Sequence, residues 1–211
     1  LRGRAFAPVQ GAAPAAPKGE SGSPAPPLAP GAAVGVALLQ GDLQATAIGT
    51  VTRVDGERVL AFGHPMFNLG PVELPMTRAR VEALLPSFRS SFKIAGPTGA
   101  AGVLRQDTVS GIAGTTSGSA RMIPVRLELA TDGDSTRTYA FQVAEHPMLS
   151  PVLLFVTLGG LLESAEAQGA DPSVEFGDGS VLKLSGDRRV DLRELFAGES
   201  AVYEASATVA F

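Results

Sequence analysis

The chain has 211 residues, 45% of them hydrophobic and 18% charged, which is enough for one large or two small domains with a hydrophobic core. A net charge of -4 without a basic cluster argues against a nucleic-acid partner, because binding phosphates requires grouped Lys and Arg. The absence of cysteine excludes disulfides and thiolate metal sites, and two histidines far apart in the sequence argue against an imidazole metal site.

Residues 1–33 are dominated by Ala, Pro and Gly, and such a segment cannot bury enough apolar surface to offset its ordering entropy. We therefore expect a Pro/Ala-rich linker or disordered arm over 1–33. The β-rich domain is predicted over 34–211, with a sub-boundary near 169 left open. Because the chain begins with Leu1 and not with Met, we expect a processed product.

Two strands joined by a tight turn form the centre of the predicted fold. Thr46–Val54 and Arg58–His64 carry strand-forming residues, and the Asp55-Gly56 pair between them is a strong hairpin signal. In the register that this turn predicts, Gly49 lies opposite Phe62 and leaves room for its ring. The other predicted pairs are Val54 with Glu57, Val51 with Leu60, and Ala47 with His64.

His64 stands at the end of the second strand, where Pro65 cannot donate to a ladder. The predicted register places Val51, Leu60 and Phe62 on the same face as His64. A histidine fixed at the end of a strand, with its polar edge free at the mouth of a core, is placed as a general base would be. The alternative is a core histidine whose ring nitrogens are bonded to backbone atoms.

The strand Ile48-Gly49-Thr50-Val51-Thr52, with Ala61-Phe62-Gly63-His64 after the turn, resembles the histidine segment of the SpoIVB-type serine peptidases. A second similarity follows at Gly102-Val103-Leu104 and Ser110-Gly111-Ile112-Ala113-Gly114, so the resemblance covers roughly residues 41–129. The family is grouped with the chymotrypsin-like peptidases, which pair a histidine base with a serine nucleophile. The resemblance implies that His64 is the base of an extracytoplasmic hydrolase with protein or peptide substrates.

The nucleophile of that family lies in a Gly-x-Ser-Gly-Ser-Pro turn that leads directly into a strand. Gly19-Glu20-Ser21-Gly22-Ser23-Pro24 matches this turn, which makes Ser21 a candidate nucleophile. The prolines that follow cannot form a strand, and a coil does not supply the rigid donors of an oxyanion hole. We therefore expect the serine to come from an upstream or separate chain, or the domain to have lost the chemistry.

Asp107 is a candidate for orienting His64 as the third member of a triad, and the alternative is an exposed turn carboxylate. No cofactor is predicted, because the spacing of Gly111, Gly114 and Gly118 matches neither a phosphate loop nor a dinucleotide fingerprint. Calcium is not predicted either, since the glycine and the closing glutamate of a calcium loop are not at the required offsets from Asp132 and Asp134, and no metal site is expected.

Periodicity and turn residues predict the remaining elements. Ser150, Pro151 and Gly169 bracket a buried helix over Pro151–Gln168, in which Gly159-Gly160 costs stability unless another element approaches closely. We also expect a strand at Val34–Leu39 and a loop at Pro65–Pro75. A short helix is predicted from Thr77 to Pro86, with the apolar stripe Val81, Leu84 and Leu85. Further along, we expect a hairpin of Met122–Ala130 with Tyr139–Val143, and then strands from Ser173 to Phe211, the last of them over Ala201–Phe211.

These patterns predict a mainly β protein, an antiparallel barrel or sandwich with chymotrypsin-like half-barrel elements and two helices. No membrane span is expected, because the longest apolar run, Pro147–Leu162, is short and interrupted. Two functions follow. The first is a SpoIVB-type serine-peptidase-like domain that is incomplete in this chain. The second is a non-catalytic binding or scaffold domain of a secreted or envelope protein, whose sheet edge or glycine-rich loop recruits a partner.

Overall fold

The computed structural model describes residues 27–86, 88, 92–131, 136–165, 173–183 and 188–211. The predicted mainly β fold is confirmed, with a large antiparallel sheet and two helices. The elements are β1 Ala33–Gly41, β2 Ala45–Asp55, β3 Arg58–Ala61, β4 Gly70–Leu85, β5 Phe92–Thr108, β6 Gly111–Thr115, β7 Met122–Ala130, β8 Thr136–Ala144, α1 Leu149–Ala165, β9 Ser173–Glu175, β10 Val181–Lys183, β11 Arg189–Asp191, β12 Leu195–Ala197 and α2 Ala201–Ala210.

Strand pairing closes part of the sheet into a ring. The sheet order is β2-β3-β6-β5-β4-β1-β8-β7, and β1 also pairs with β2, so β1 to β6 form a closed circuit. Alternate side chains of these strands are buried together, because side chains on one face of a strand repeat every second residue. The buried cluster of the ring includes Val34, Val36, Val51, Leu74 and Leu104.

Leu28 packs in the same buried cluster, and the N–H of Gly31 donates to the carbonyl of Val51 at 2.8 Å. Residues 27–33 are therefore held against the ring by apolar packing and by a main-chain hydrogen bond. Ser21 and its flanking residues lie outside the described part of the chain.

The central hairpin forms, but its register differs from the predicted one. Gly56, with φ 57°, and Glu57 are the central residues of the turn, one position further on than predicted. An irregularity after Val51 then places it opposite Ala61, not opposite Leu60. The inward face is therefore that of Val51 and Ala61, and the prediction that Leu60 shares this face is wrong.

The predicted helix from Thr77 to Pro86 is also wrong, because β4 continues to Leu85 in antiparallel pairing with β5. Val81, Leu84 and Leu85, which were expected to form a buried stripe, are exposed in the C-terminal part of β4. Pairing with β5, although interrupted by several register shifts, supplies main-chain partners as far as Leu85, and this outweighs the local helical periodicity.

The predicted helix is confirmed as α1, which packs Leu153 and Leu154 against a second cluster under β1 and β8. It is only partly buried, because Val152 and Val156 are exposed. α2 lies next to Gly159 of α1. The hydroxyl of Ser206 in α2 is 3.6 Å from the position that a Cβ on Gly159 would take. This is an ordinary contact distance, and a Cβ on Gly160 would meet nothing within 4 Å, so no close approach of another element requires the glycine pair.

The predicted last strand, Ala201–Phe211, is wrong, since these residues form α2. Alternation of apolar side chains indicated a strand, but the buried residues are Ala201, Ala205 and Ser206, which follow a helical spacing. Alanine is the strongest helix former, so composition supports the helix once one face is covered.

Candidate functional site

A left-handed turn separates the end of β3 from His64. Phe62 has φ 72° and Gly63 has φ 75°, and the Phe62 N–H donates to the carbonyl of Thr50 at 2.9 Å. A bulky residue in this conformation costs about 1 to 3 kcal/mol, and such strain persists only where the surroundings enforce it. The backbone orientation at His64 is therefore set by the strained turn at Phe62 and Gly63, because β3 does not continue to His64.

Gly49 makes this turn sterically feasible. A Cβ on Gly49 would overlap the ring of Phe62, so the sequence prediction that Gly49 leaves room for Phe62 is confirmed. The Phe62 ring in turn contacts the imidazole of His64, with ring centroids 5.7 Å apart and planes tilted by 46°. Gly49 on β2 thus influences the position of the imidazole through one aromatic ring.

The imidazole of His64 is exposed at the surface and is not enclosed in the core. Its Nδ1 lies 2.8 Å from the carbonyl oxygen of Pro65. A carbonyl oxygen only accepts, so Nδ1 carries the proton of the neutral ring and Nε2 keeps its lone pair. Nε2 has no hydrogen-bond partner among the described residues, and it is therefore available to accept a proton.

Asp107 holds the loop that follows His64. Its side chain is fully buried at the end of β5, and one oxygen accepts the N–H of Met66 at 2.8 Å. The other oxygen accepts the N–H groups of Phe67 at 2.7 Å and Leu69 at 3.3 Å. One carboxylate thus pairs three donors of a single loop, and charged acceptors make stronger hydrogen bonds than neutral ones. The loop is short, since β4 begins at Gly70 and not after Pro75 as predicted.

Asp107 therefore differs from both of its predicted roles. It is not an exposed turn carboxylate, because none of its surface is accessible. Its hydrogen-bond partners within the described chain are the backbone N–H groups of Met66, Phe67 and Leu69, and the His64 ring bonds to Pro65 instead. Asp107 fixes the loop that begins with Pro65, and its influence on His64 passes through that backbone.

A turn with two hydroxyls lies beside the segment that leads to His64. A Cβ on Gly111 would come within 2.8 Å of the Ala61 carbonyl and 3.3 Å of the Gly63 nitrogen, so glycine permits this close approach. In the same turn the Thr108 and Ser110 hydroxyls lie 3.3 Å apart. Within the described residues, neither hydroxyl is hydrogen-bonded to the imidazole, and the serine partner of a hydrolase is not assembled there.

The second histidine has a structural role. The Nδ1 of His146 accepts the N–H groups of Met148 at 3.2 Å and Leu149 at 3.3 Å, which are donors at the start of α1. Because Nδ1 of His146 accepts these hydrogen bonds, it carries a lone pair and no proton, whereas Nδ1 of His64 carries the proton.

No protein-family model matches the chain, and no match was found among curated proteins or solved structures. Among the described helices, neither is long and apolar enough to cross a membrane. The described residues also contain no group of three or more His, Cys, Asp or Glu side chains placed to hold a metal ion. Asp132 and Asp134, where calcium was considered, lie outside the described residues.

Proposed function

We propose that the protein is a serine-peptidase-like domain of the SpoIVB type, in which His64 is the general base. The observation that carries the proposal is the exposed Nε2 of His64, whose lone pair is fixed by the bond between Nδ1–H and the Pro65 carbonyl. The nucleophilic serine comes from an upstream part of a longer polypeptide or from another chain. The substrates are polypeptides, and the site of action is extracytoplasmic.

In this mechanism Nε2 accepts the proton of the serine hydroxyl while the serine oxygen attacks the carbonyl carbon of the peptide bond. The resulting imidazolium then donates the Nε2 proton to the leaving amine as the C–N bond breaks. In a second step Nε2 takes a proton from water as the water oxygen attacks the acyl carbon. The bond from that carbon to the serine oxygen then breaks, and the proton passes from Nε2 to the serine oxygen. Throughout, the Pro65 carbonyl maintains the tautomer that a triad carboxylate maintains elsewhere.

Two features near His64 support preorganisation for this role. The strained Phe62 and the ring contact between Phe62 and His64 restrict the imidazole on one side. Asp107 restricts the loop on the other side by pairing three of its backbone donors. Catalytic groups must be held by such supporting contacts, because small displacements from the productive geometry reduce rates steeply.

Labelling with a fluorophosphonate probe tests the proposal. The 211-residue chain alone is expected to remain unlabelled, and the longest natural polypeptide that contains it is expected to be labelled at one serine. His64→Gln in that polypeptide is expected to lower the labelling rate by about a hundredfold or more, the usual contribution of a general base. The matched control is His146→Gln, which removes the structural histidine and is expected to leave the labelling rate of folded protein unchanged.

An unchanged labelling rate after His64→Gln would contradict the base role. Absence of labelling in every natural form would favour the second candidate function, a non-catalytic binding or scaffold domain. The observation that favours this second function is the exposed apolar arm of β4 and β5, where Val81, Leu84 and Leu85 are open to solvent.

A further inference from the structure

Thr46 and Thr77, two threonines with buried hydroxyls, lie beside Gly35 on the outer face of β1. Gly35 faces away from the core side chains Val34 and Val36, because successive residues of a strand point to opposite faces. A Cβ on Gly35 would lie 2.5 Å from the hydroxyl oxygen of Thr77 and 2.6 Å from the methyl of Thr46. The missing side chain of Gly35 therefore lets the two threonines converge from β4 and β2.

Neither hydroxyl has a hydrogen-bond partner within the described chain, although both oxygens are buried. The residue Thr77 is only 3% exposed. Burying a hydroxyl without a partner is unfavourable, and most buried polar atoms in proteins are paired. Both hydroxyls therefore have unused hydrogen-bonding capacity, which a ligand reaches only when the threonine side chains turn toward solvent.

Both threonines line a cavity of about 470 Å³. This volume lies within the range of about 300 to 1,000 Å³ that is typical of ligand pockets. The cavity also presents the side-chain amides of Gln40, Gln44 and Gln142, and its walls contain neither a charged nor an aromatic residue. The lining thus offers hydrogen-bond donors and acceptors to an uncharged ligand.

A second cavity of about 450 Å³ continues the first across β8 and β7. The two share Gln40, Gly41 and Gln142, so together they form one elongated groove. Arg126 in the second cavity is already paired with Glu128 at 2.6 Å, and its charge does not require an anionic ligand. The shape of the groove favours an extended ligand over a compact one.

We propose that this groove binds an extended, uncharged peptide segment. A peptide backbone carries alternating N–H and C=O groups, which match hydroxyls and amides that both donate and accept. A sugar or a nucleobase is less suited to the first cavity, because such ligands are usually stacked on aromatic rings. Pro75, Pro97 and Met122 supply apolar contacts for small side chains.

The groove is separate from His64. Gly102 lines the groove, whereas Asp107 holds the loop after His64, and five residues of β5 span roughly 17 Å. Peptide binding here does not rest on the proposed catalysis, and the two proposals fail independently.

An array of nonapeptides tests the proposal. Three sets are compared: uncharged sequences, the same sequences with Asp at alternate positions, and the same sequences with Lys there. The uncharged set is expected to bind the 211-residue protein preferentially. Ser119→Trp, at an exposed residue of the groove wall, is expected to weaken binding of the best uncharged peptide by about tenfold or more, since the added ring fills the cavity.

The matched control is Thr116→Trp, an exposed position in the same loop that does not line the groove, and affinity is expected to stay within about twofold of the parent. Thr77→Val, which keeps shape and removes a hydroxyl, is expected to weaken binding by about threefold. His64→Gln is expected to leave binding unchanged. Equal binding of the charged sets, no binding of the uncharged set, or binding unaffected by Ser119→Trp would overturn the proposal.

Discussion

The carboxylate of Asp107 accepts the backbone N–H of Phe67 at 2.7 Å, although 40 positions separate the two residues in the chain. This bond joins the end of β5 to the loop after His64, and two further bonds from Met66 and Leu69 complete the pairing. The loop next to the imidazole is therefore fixed from the core and not by its own sequence.

Replacing Asp107 by Asn is expected to lower the free energy of unfolding by about 3 kcal/mol, because the new NH2 group would face an N–H donor of the loop and leave it unpaired. Urea denaturation measures the change. Asp42→Asn is the control, since Asp42 is exposed and accepts the N–H of Ala140 at 2.7 Å. The free energy of unfolding of the Asp42→Asn variant is expected to fall by less than about 1 kcal/mol. Equal losses in both variants would contradict the role given to Asp107.

Gly49→Ala is expected to displace the Phe62 ring, because the added Cβ would overlap it. We expect a loss of about 1 to 3 kcal/mol in unfolding free energy, typical of overpacking, together with altered NMR shifts of the His64 ring. Gly96→Ala is the control, as a Cβ there meets nothing within 4 Å. Unchanged His64 shifts in Gly49→Ala would show that the Phe62 ring does not position the imidazole.

Gly160→Ala is expected to raise the free energy of unfolding by about 1 kcal/mol, the helix propensity difference between the two residues. Gly160 lies inside α1 and a Cβ there meets nothing within 4 Å. Thermal unfolding measures the gain. Gly102→Ala is expected to lower the free energy of unfolding instead, because Gly102 has φ 124° and a Cβ would overlap the Thr115 carbonyl. A loss in Gly160→Ala would mean that α1 meets a neighbour there.

Thr77→Val is expected to raise the free energy of unfolding of the free protein by about 1 kcal/mol, since it removes a buried hydroxyl without a partner. Thr52→Val, at an exposed position of β2, is expected to change stability by less than about 0.5 kcal/mol. Destabilisation by Thr77→Val in chemical denaturation would show that the hydroxyl is satisfied in the free protein, which would weaken the case for the groove.

Local sequence patterns were sufficient to predict an element where the local periodicity and the tertiary contacts favour the same structure. The hairpin of β7 and β8 alternates cleanly, and the apolar run after Ser150-Pro151 indicates a helix, so both elements were predicted. The helix begins at Leu149, one residue before the predicted cap, and Gly169 lies outside the described residues. The same patterns failed where tertiary contacts decide. β4 continues through a helical pattern because β5 pairs with it, and α2, which contacts α1, buries Ala205 on one face.

The candidate site was predictable only in part. Gly-His after a strand indicated His64, and Gly49 indicated the Phe62 ring, since both signals are local. The positive φ of Phe62 and the Pro65 carbonyl as partner of Nδ1 leave no sequence signal. The role of Asp107 depends on a loop about 40 positions away, and no periodicity encodes that contact.

The tautomer of His64 is the most direct test of the account, because a general base needs an unprotonated Nε2. Long-range ¹H–¹⁵N correlation of the imidazole rings, recorded where the rings are neutral, distinguishes the two tautomers. The geometry predicts that His64 carries its proton on Nδ1, bonded to Pro65, and that His146 carries its proton on Nε2. A proton on Nε2 of His64 would contradict the proposed base.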